Sequence, residues 1–520
     1  MDCATLTPLA SKLLQPQHVA QTGIVPPNPL QRRQFQIRPD QRQIDPILVL
    51  LAITMRPAVF LEIRHNPGIN RLHIRSIPRS ESHTPNSLVD RHAATAAPHR
   101  YYERMSDERS PISAPLPPHA APALRIIETL TTAGHVALLN GGCVRDLLLG
   151  NEPGDYDVAT DATPDRVCQL FKPTRKVGAH FGVVLVRSDG DWIEVATFRA
   201  DGQYLDGRRP SSVTFGDARL DAQRRDFTVN GMFLDPQRHE LIDYVGGRID
   251  LAARQIRAIG EPAARFTEDH LRLLRAVRFA ARLEFALEIK TAEAIRQHAA
   301  ELRSVAPERV LQELEKMLAH RTRARAFELL CETGLLPFLW QGASWTPEQQ
   351  AAAHDGLKRL GPDATFAAAL AVLLADRPAR AADEACRKLT CSNEQRDTTT
   401  YLIAHQADLD DPKQPGLAEF KRLLAHPAFG ELRLLAESRY RAMPDGDRRA
   451  AALQHRIAAI PPESIQPAPF ITGDDLAARR VPPGPRYKQV LDALYTRQLN
   501  EELADRAAAL AELERLLQEP

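Results

Sequence analysis

Residues 138–160 read LLNGGCVRDLLLGNEPGDYDVAT, and this order decides how the chain around them is arranged. An apolar run delivers the backbone to Gly141-Gly142, where two glycines let N–H groups approach a bulky anion closely. A short helix carrying Arg145 and Asp146 is predicted next, then a strand opening with Asp155-Tyr156-Asp157. Strand alternation points Asp155 and Asp157 to the same face. Two carboxylates side by side repel unless something positive sits between them, and a pair of divalent metal ions is the usual solution. A phosphate cradle beside metal-holding carboxylates is the outline of a nucleotidyl-transfer site.

Upstream, residues 121–133 (APALRIIETLTTA) predict a helix stopped by Gly134, a residue suited to the left-handed turn after a helix. Downstream, Thr163-Pro164-Asp165 predicts a helix start with Thr163 as its cap. Strand-like runs follow at 176–186, 192–198 and 212–215, with a polar connection at 199–210 (RADGQYLDGRRP) expected to be a mobile loop. Within WIEVATF, Glu194 is either a third carboxylate for the metal pair or an exposed strand residue. In RRDFTVNG, the adjacent Arg224 and Arg225 either clamp a triphosphate with two-pronged guanidinium bonds or form a solvated surface pair. Gly246-Gly247 then marks a turn closing the first domain.

Beyond Glu261 the pattern turns helical. Residues 267–285 (TEDHLRLLRAVRFAARLEF) predict one helix capped by Thr267, with Asp269 and Arg272 as i,i+3 neighbours and Arg275 and Arg278 continuing the stripe. Cytosine and adenine both present an amino donor beside a ring-nitrogen acceptor. One Asp and one Arg would therefore admit C and A while leaving U and G badly paired. The competing reading is an exposed helix with an ordinary ion pair.

The wider composition sets limits. At 520 residues the chain has room for two to four domains, and 43% hydrophobic with 26% charged residues is ordinary for globular protein. A net charge of +1 requires any basic surface to be local. The six cysteines, at 3, 143, 168, 331, 386 and 391, include no CxxC and read as reduced thiols of a cytoplasmic protein. Residues 1–104 are rich in Pro, Gln and Arg and show no sustained period. They read as a disordered extension or as sequence upstream of a start site placed too early. Their one apolar run, 47–55, is far short of the ~20 residues of a membrane-spanning helix. His354-Asp355 reads as a chance dipeptide rather than a metal-dependent phosphohydrolase pair.

The ordered set GGCVRD, DYD, VGAHFGVVLV, IEVATFRADGQYLDGRRP, RRDFTVNG, EDHLRLLRAVRF and ERVLQELEKML resembles the class II tRNA nucleotidyltransferase and bacterial poly(A) polymerase superfamily. The resemblance covers about residues 121–340 and, more loosely, the tail. It implies an α+β chain: an N-terminal nucleotidyltransferase mixed-sheet domain (121–260), then an all-helical neck (261–345), body (346–460) and tail (461–520). It implies that Gly141, Gly142 and Arg145 belong to a nucleotide-binding turn, that Asp155 and Asp157 hold Mg2+ in a two-metal site, and that Arg224 and Arg225 meet the incoming nucleotide. Asp269 and Arg272 match the residues that pair with C or A, Arg275 and Arg278 lie at phosphate and sugar contacts, and 304–318 resembles the neck helix. The loop at 199–210 and the tail at 469–503 look like those of CCA-adding enzymes. The expected substrates are ATP and CTP, the expected partner is the 3′ end and acceptor arm of tRNA, and no membrane is involved. Poly(A) synthesis, CC-only or A-only addition, and an inactive RNA-binding relative are the alternatives.

Overall fold

The computed structural model describes residues 61–65, 72–76, 109–112, 116–177, 182–201, 213–340, 345–411, 413–482 and 484–518. The chain forms two compact units, residues 1–96 and 97–520. In the first, β1 (Leu61–His65) pairs antiparallel with β2 (Leu72–Ser76). Their sequences, LEIRH and LHIRS, alternate apolar and polar residues over their first four positions, too short for a sustained period. The rest of the reading of 1–104 lies outside the described residues.

In the second unit the strands are β3 (Arg109–Pro111), β4 (Ala137–Asn140), β5 (Asp157–Thr160), β6 (Thr174–Arg175), β7 (Val183–Ser188), β8 (Asp191–Thr197), β9 (Arg199–Asp201), β10 (Val213–Phe215), β11 (Met232–Asp235), β12 (Glu240–Asp243), β13 (Gln255–Ile256) and β14 (Ala286–Leu287). Eight of them form one sheet in the order β3-β12-β11-β4-β5-β8-β7-β6, antiparallel except for β5 beside β8. The first helices are α1 (Ala121–Thr132), α2 (Gly142–Leu148), α3 (Pro164–Leu170), α4 (Ala218–Gln223) and α5 (Gly247–Ala252).

Alternation sorts the sheet's side chains into two layers. Leu139, Val158, Val195, Val184 and Val186 join Ile126, Ile127 and Leu130 of α1 and Val167 of α3 in the main core. Burying each such side chain stabilises by roughly 1.5–3 kcal/mol. On the other face Leu138, Ala159, Phe233 and Ile242 pack with Ala218 and Ala222 of α4. The local signals behave as predicted: Gly134 takes φ +85 after α1, and the Thr163 hydroxyl accepts from the Arg166 N–H at 3.4 Å at the start of α3. The 199–210 segment departs from expectation at its start, because Arg199–Asp201 pairs with Val213–Phe215. The remainder of that loop lies outside the described residues.

The helix expected over 267–285 is two helices. α6 (Pro262–Glu268) ends at Asp269, whose φ −148 and ψ 104 are extended, and α7 runs Arg272–Leu283. Thr267 therefore caps nothing; it sits inside α6 and donates its hydroxyl to the Ala263 carbonyl at 3.0 Å. After α8 (Ile289–His298), α9 (Pro307–Leu318) provides the helix expected at 304–318, beginning at Pro307 itself. α10 (Arg323–Glu332) and further helices from Pro347–Arg359 to Arg506–Gln518 complete the chain. Arg323 ties the early helices to the later ones. It is 1% exposed and donates to the carbonyls of Leu318 at 2.8 Å, Gly361 at 2.9 Å and Ala364 at 3.3 Å. Ile471, Leu476, Val490, Leu494, Ala509 and Leu513 form a separate small core at the C-terminal end. The architecture is α+β, with the mixed sheet first and helices after it, as the sequence implied. No helix among the described residues is long and apolar enough to cross a membrane.

Candidate active site

The α4 face of the sheet carries the site. Leu138 and Ala159 lie in that layer, so two residues along each strand alternation puts Asn140 and Asp157 on the same face, and they are direct cross-strand partners. The parallel register that aligns Val158 with Val195 sets Glu194 beside Asp157. Asp155 precedes β5, with the buried Tyr156 pointing the other way into the main core. Among the described residues none of Asp155, Asp157 and Glu194 is in an ion pair. Burial first, then Glu194 and Asp155, push the Asp157 carboxyl up to about 7, with Arg225 opposing them. Glu194 is also raised, by lost hydration and then by Asp155. No three His, Cys, Asp or Glu side chains among the described residues close into a ready-made cage. An all-oxygen donor set whose negative charge Arg225 offsets only in part, leaving Asp157 and Glu194 both raised, nevertheless fits a hard divalent cation.

The turn beside these carboxylates is built from backbone that requires glycine. Gly141 has φ +73, and a Cβ there would lie 3.1 Å from Arg225 Nη1. The arginine pair is not the solvated surface considered above. Asp221, one turn earlier on α4, accepts Arg224 at 2.9 and 2.5 Å and Arg225 at 3.1 and 2.9 Å. Burial opposes ionisation of Asp221, but Arg225 and Arg224 together hold its carboxyl below the ordinary value. Arg225 also donates to Asn140 Oδ1 at 2.7 Å and lies over the Phe233 ring at 5.2 Å. Arg145 is buried rather than open to a ligand, donating to Asp146 at 2.8 and 2.9 Å and to Asn230 Oδ1 at 2.8 Å.

The Asp269–Arg272 ion pair of the competing reading is not formed. The break between α6 and α7 leaves Asp269 outside the helix, where Arg309 of α9 grips it with two bonds of 3.1 and 2.8 Å. Arg272 turns instead to Glu268 at 2.5 Å and to the Arg224 carbonyl at 3.1 Å. Arg275 holds the buried Asp226 at 2.9 and 2.6 Å; burial would raise that carboxyl, and the Arg275 guanidinium brings it down to about 2. Arg278 bonds Glu313 at 2.5 Å. Phe279 is ringed by guanidiniums, Arg278 at 4.1 Å, Arg275 at 5.4 Å and Arg145 at 5.5 Å, which brings the head turn and α7 against one aromatic face. The sequence reading missed Asp221, Asp226, Glu268, Arg309 and Glu313. Asp221 and Glu268 stand three or four residues before the arginines they hold and could have been found by helical spacing, whereas Arg309 lies 40 residues from Asp269. At His354-Asp355 the side chains lie 3.5 Å apart on one helix, with no metal-ligating cluster among the described residues.

A model of the poly A polymerase head domain matches residues 137–257, and one described as a probable RNA- and SrmB-binding site of polymerase A matches 284–345. A CCA-adding enzyme of Geobacillus sp. (strain WCH70) is 46% identical over 233 residues, 45% of this chain and 57% of that protein. The chain thus spans a little over half the length of this relative. The CCA-adding enzyme of Bacillus licheniformis is 33% identical over 396 residues, 75% of this chain and 96% of the relative. The structure of the Bacillus stearothermophilus CCA-adding enzyme in complex with CTP superposes with TM-score 0.67 at 32% identity, covering 78% of this chain and all of that one. Similarity along almost the whole of a relative, with a head-domain match and a superposition that covers all of a solved structure, means that this chain belongs to the CCA-adding enzyme family of class II nucleotidyltransferases.

Proposed function

We propose that this protein adds C, C and A to the 3′ end of tRNA, using CTP and ATP and no nucleic-acid template, in the cytoplasm. The observation that carries the reading is the bond from Arg272 to the Arg224 carbonyl, which docks α7 against an arginine pair bordering carboxylates that have no ion-pair partner among the described residues. The names of the relatives and the CTP complex of the structural neighbour support the same substrates.

Asp155 and Asp157, with Glu194 adjoining, would hold Mg2+, which supplies Lewis-acid stabilisation of the triphosphate and activation of the RNA 3′-hydroxyl. The chain's own part is positioning. Gly141 lets the backbone come close, while Arg224 and Arg225, fixed by Asp221, offer fork-shaped donors to phosphate oxygens. Asp269 accepts from the exocyclic amino group of C or A, and Arg272 donates to the ring nitrogen, so that uracil and guanine leave both groups unpaired. Arg275 and Arg278 fix α7, which opens with Arg272 just after Asp269, and would meet the sugar and phosphates. Head, neck, body and tail divide as 121–260, 261–345, 346–460 and 461–520, with the body and tail arginines following the acceptor arm.

Single-nucleotide incorporation tests this on tRNA transcripts ending at the discriminator base, at C and at CC. Addition of C, C and A followed by a stop is expected. Addition of A alone to the CC-ended transcript, or of two C's without A, would reassign the protein to a partial-addition member. Long A tails on unrelated RNA would make it a poly(A) polymerase, and no transfer at all would leave an inactive RNA-binding relative.

A further inference from the structure

Asn140 ends β4 at the site, 4% exposed. Its Oδ1 is engaged, accepting Arg225 Nη2 at 2.7 Å, whereas its Nδ2 is sealed from solvent and has no hydrogen-bond partner among the described residues. A buried donor left unpaired is costly, so a native one calls for a partner in some other state of the molecule. Its neighbours identify that partner. On one side stands Phe233, its Cα partner on β11, whose ring offers only a weak π acceptor and already lies under the Arg225 guanidinium at 5.2 Å. On the other stands Asp157, its Cα partner on β5. Side chains opposed in this way on one face have Cβ atoms about 4.5–5.5 Å apart. A nitrogen shielded from solvent is poorly placed to meet an arriving phosphate, but a carboxylate turning on the next strand can reach it.

We infer that Asn140 is a positioning residue for Asp157. Its amide is anchored at Oδ1 by Arg225 and donates an Nδ2–H to the Asp157 carboxylate when that carboxylate turns to hold a divalent cation. The inference rests on the proposed reading of Asp155 and Asp157 as cation ligands. Ligating carboxylates are commonly oriented by a hydrogen bond of this kind. The arrangement also links Arg225 to Asp157 through one amide, so that the arginine pair and the carboxylate row adjust together.

Mn2+ binding to the full chain, followed by the electron paramagnetic resonance of the free ion, tests this directly. Asn140→Ala is expected to weaken Mn2+ binding roughly ten- to hundredfold with its thermal melt cooperative. Wild-type binding that Asn140→Ala changes by less than twofold overturns the inference and leaves the metal reading standing. Absence of Mn2+ binding by the wild type overturns both. Should Asn140→Ala fail to fold, the wild-type side-chain amide decides. With selective 15N-asparagine labelling, and the resonance assigned by its loss in the near-isosteric Asn140→Asp, Mg2+ should move the Asn140 amide proton downfield and slow its exchange with solvent. An amide signal unmoved at saturating Mg2+ overturns the inference.

Discussion

Asp155, Asp157 and Glu194 differ from the other acidic residues discussed here in having no ion-pair partner among the described residues. Replacing either aspartate with Ala should reduce nucleotide incorporation to background while tRNA retention in a gel-shift experiment stays close to wild type. On the proposed reading Asp269 selects the base, and it should fail differently. Asp269→Ala should keep incorporation measurable but lower the preference for CTP over UTP, by roughly the 1–3 kcal/mol that one unpaired polar group costs, read in a competition between the labelled triphosphates. The contrast between these residues was legible in the sequence because DYD and EDHLR are local patterns. What each side chain bonds to was less so. The Asp269–Arg309 clamp and the Arg145–Asn230 bond join residues 40 and 85 positions apart, and no periodicity carries that information.

At the scale of elements, local chemistry predicted α1, α2, α3 and the carboxylate strand, and it failed where two helices meet. A continuous apolar stripe over 267–285 looks like one helix, but Asp269 turns its backbone extended and its carboxylate accepts the Leu271 N–H at 3.1 Å. The tertiary demand for a clamped carboxylate outweighs helix continuity at this point. Two threonines report the difference. Thr163→Ala removes a cap and should cost about 1 kcal/mol in urea unfolding, whereas Thr267→Ala, inside α6, should cost less than about 0.5 kcal/mol. The Arg275–Asp226 pair joins α7 to the segment after α4 and adds a pH signature. Asp226 lies at about 2 in the folded protein against about 3.9 in an unfolded chain, so its contribution is fully present above pH ~4 and is lost as pH falls toward 2. It amounts to roughly 2–3 kcal/mol. The stability gap between wild type and Asp226→Asn should therefore be widest above pH ~4 and narrow at pH ~3.

Across the whole molecule, the α+β order was readable from the change of period near residue 261, and the helical half was not readable beyond its being helical. Ala- and Leu-rich stretches specify helices, while their mutual arrangement depends on contacts such as those of Arg323, which finds backbone carbonyls on both sides of the 341–344 segment. Burial drives the Arg323 guanidinium below its usual value. Arg323→Met should lower stability by about 3 kcal/mol through the carbonyls left unpaired, seen as a fall in Tm. The expected tRNA contacts are spread over arginine-bearing helices of a chain with net charge of only +1, so affinity should fall steeply as salt rises from 50 to 200 mM.

The bond from Arg272 to the Arg224 carbonyl, with Asp226 buried under Arg275, also bears on where this protein can be cut and rejoined. A head excised at the edge of its family match, residue 257, would bare an ionised Asp226 and the Phe227 ring that packs edge-on against Phe279 at 5.8 Å. Sheet and α7 are thus one inheritable piece. A chimera that exchanges heads between relatives must carry α7 with the head to keep that joint closed.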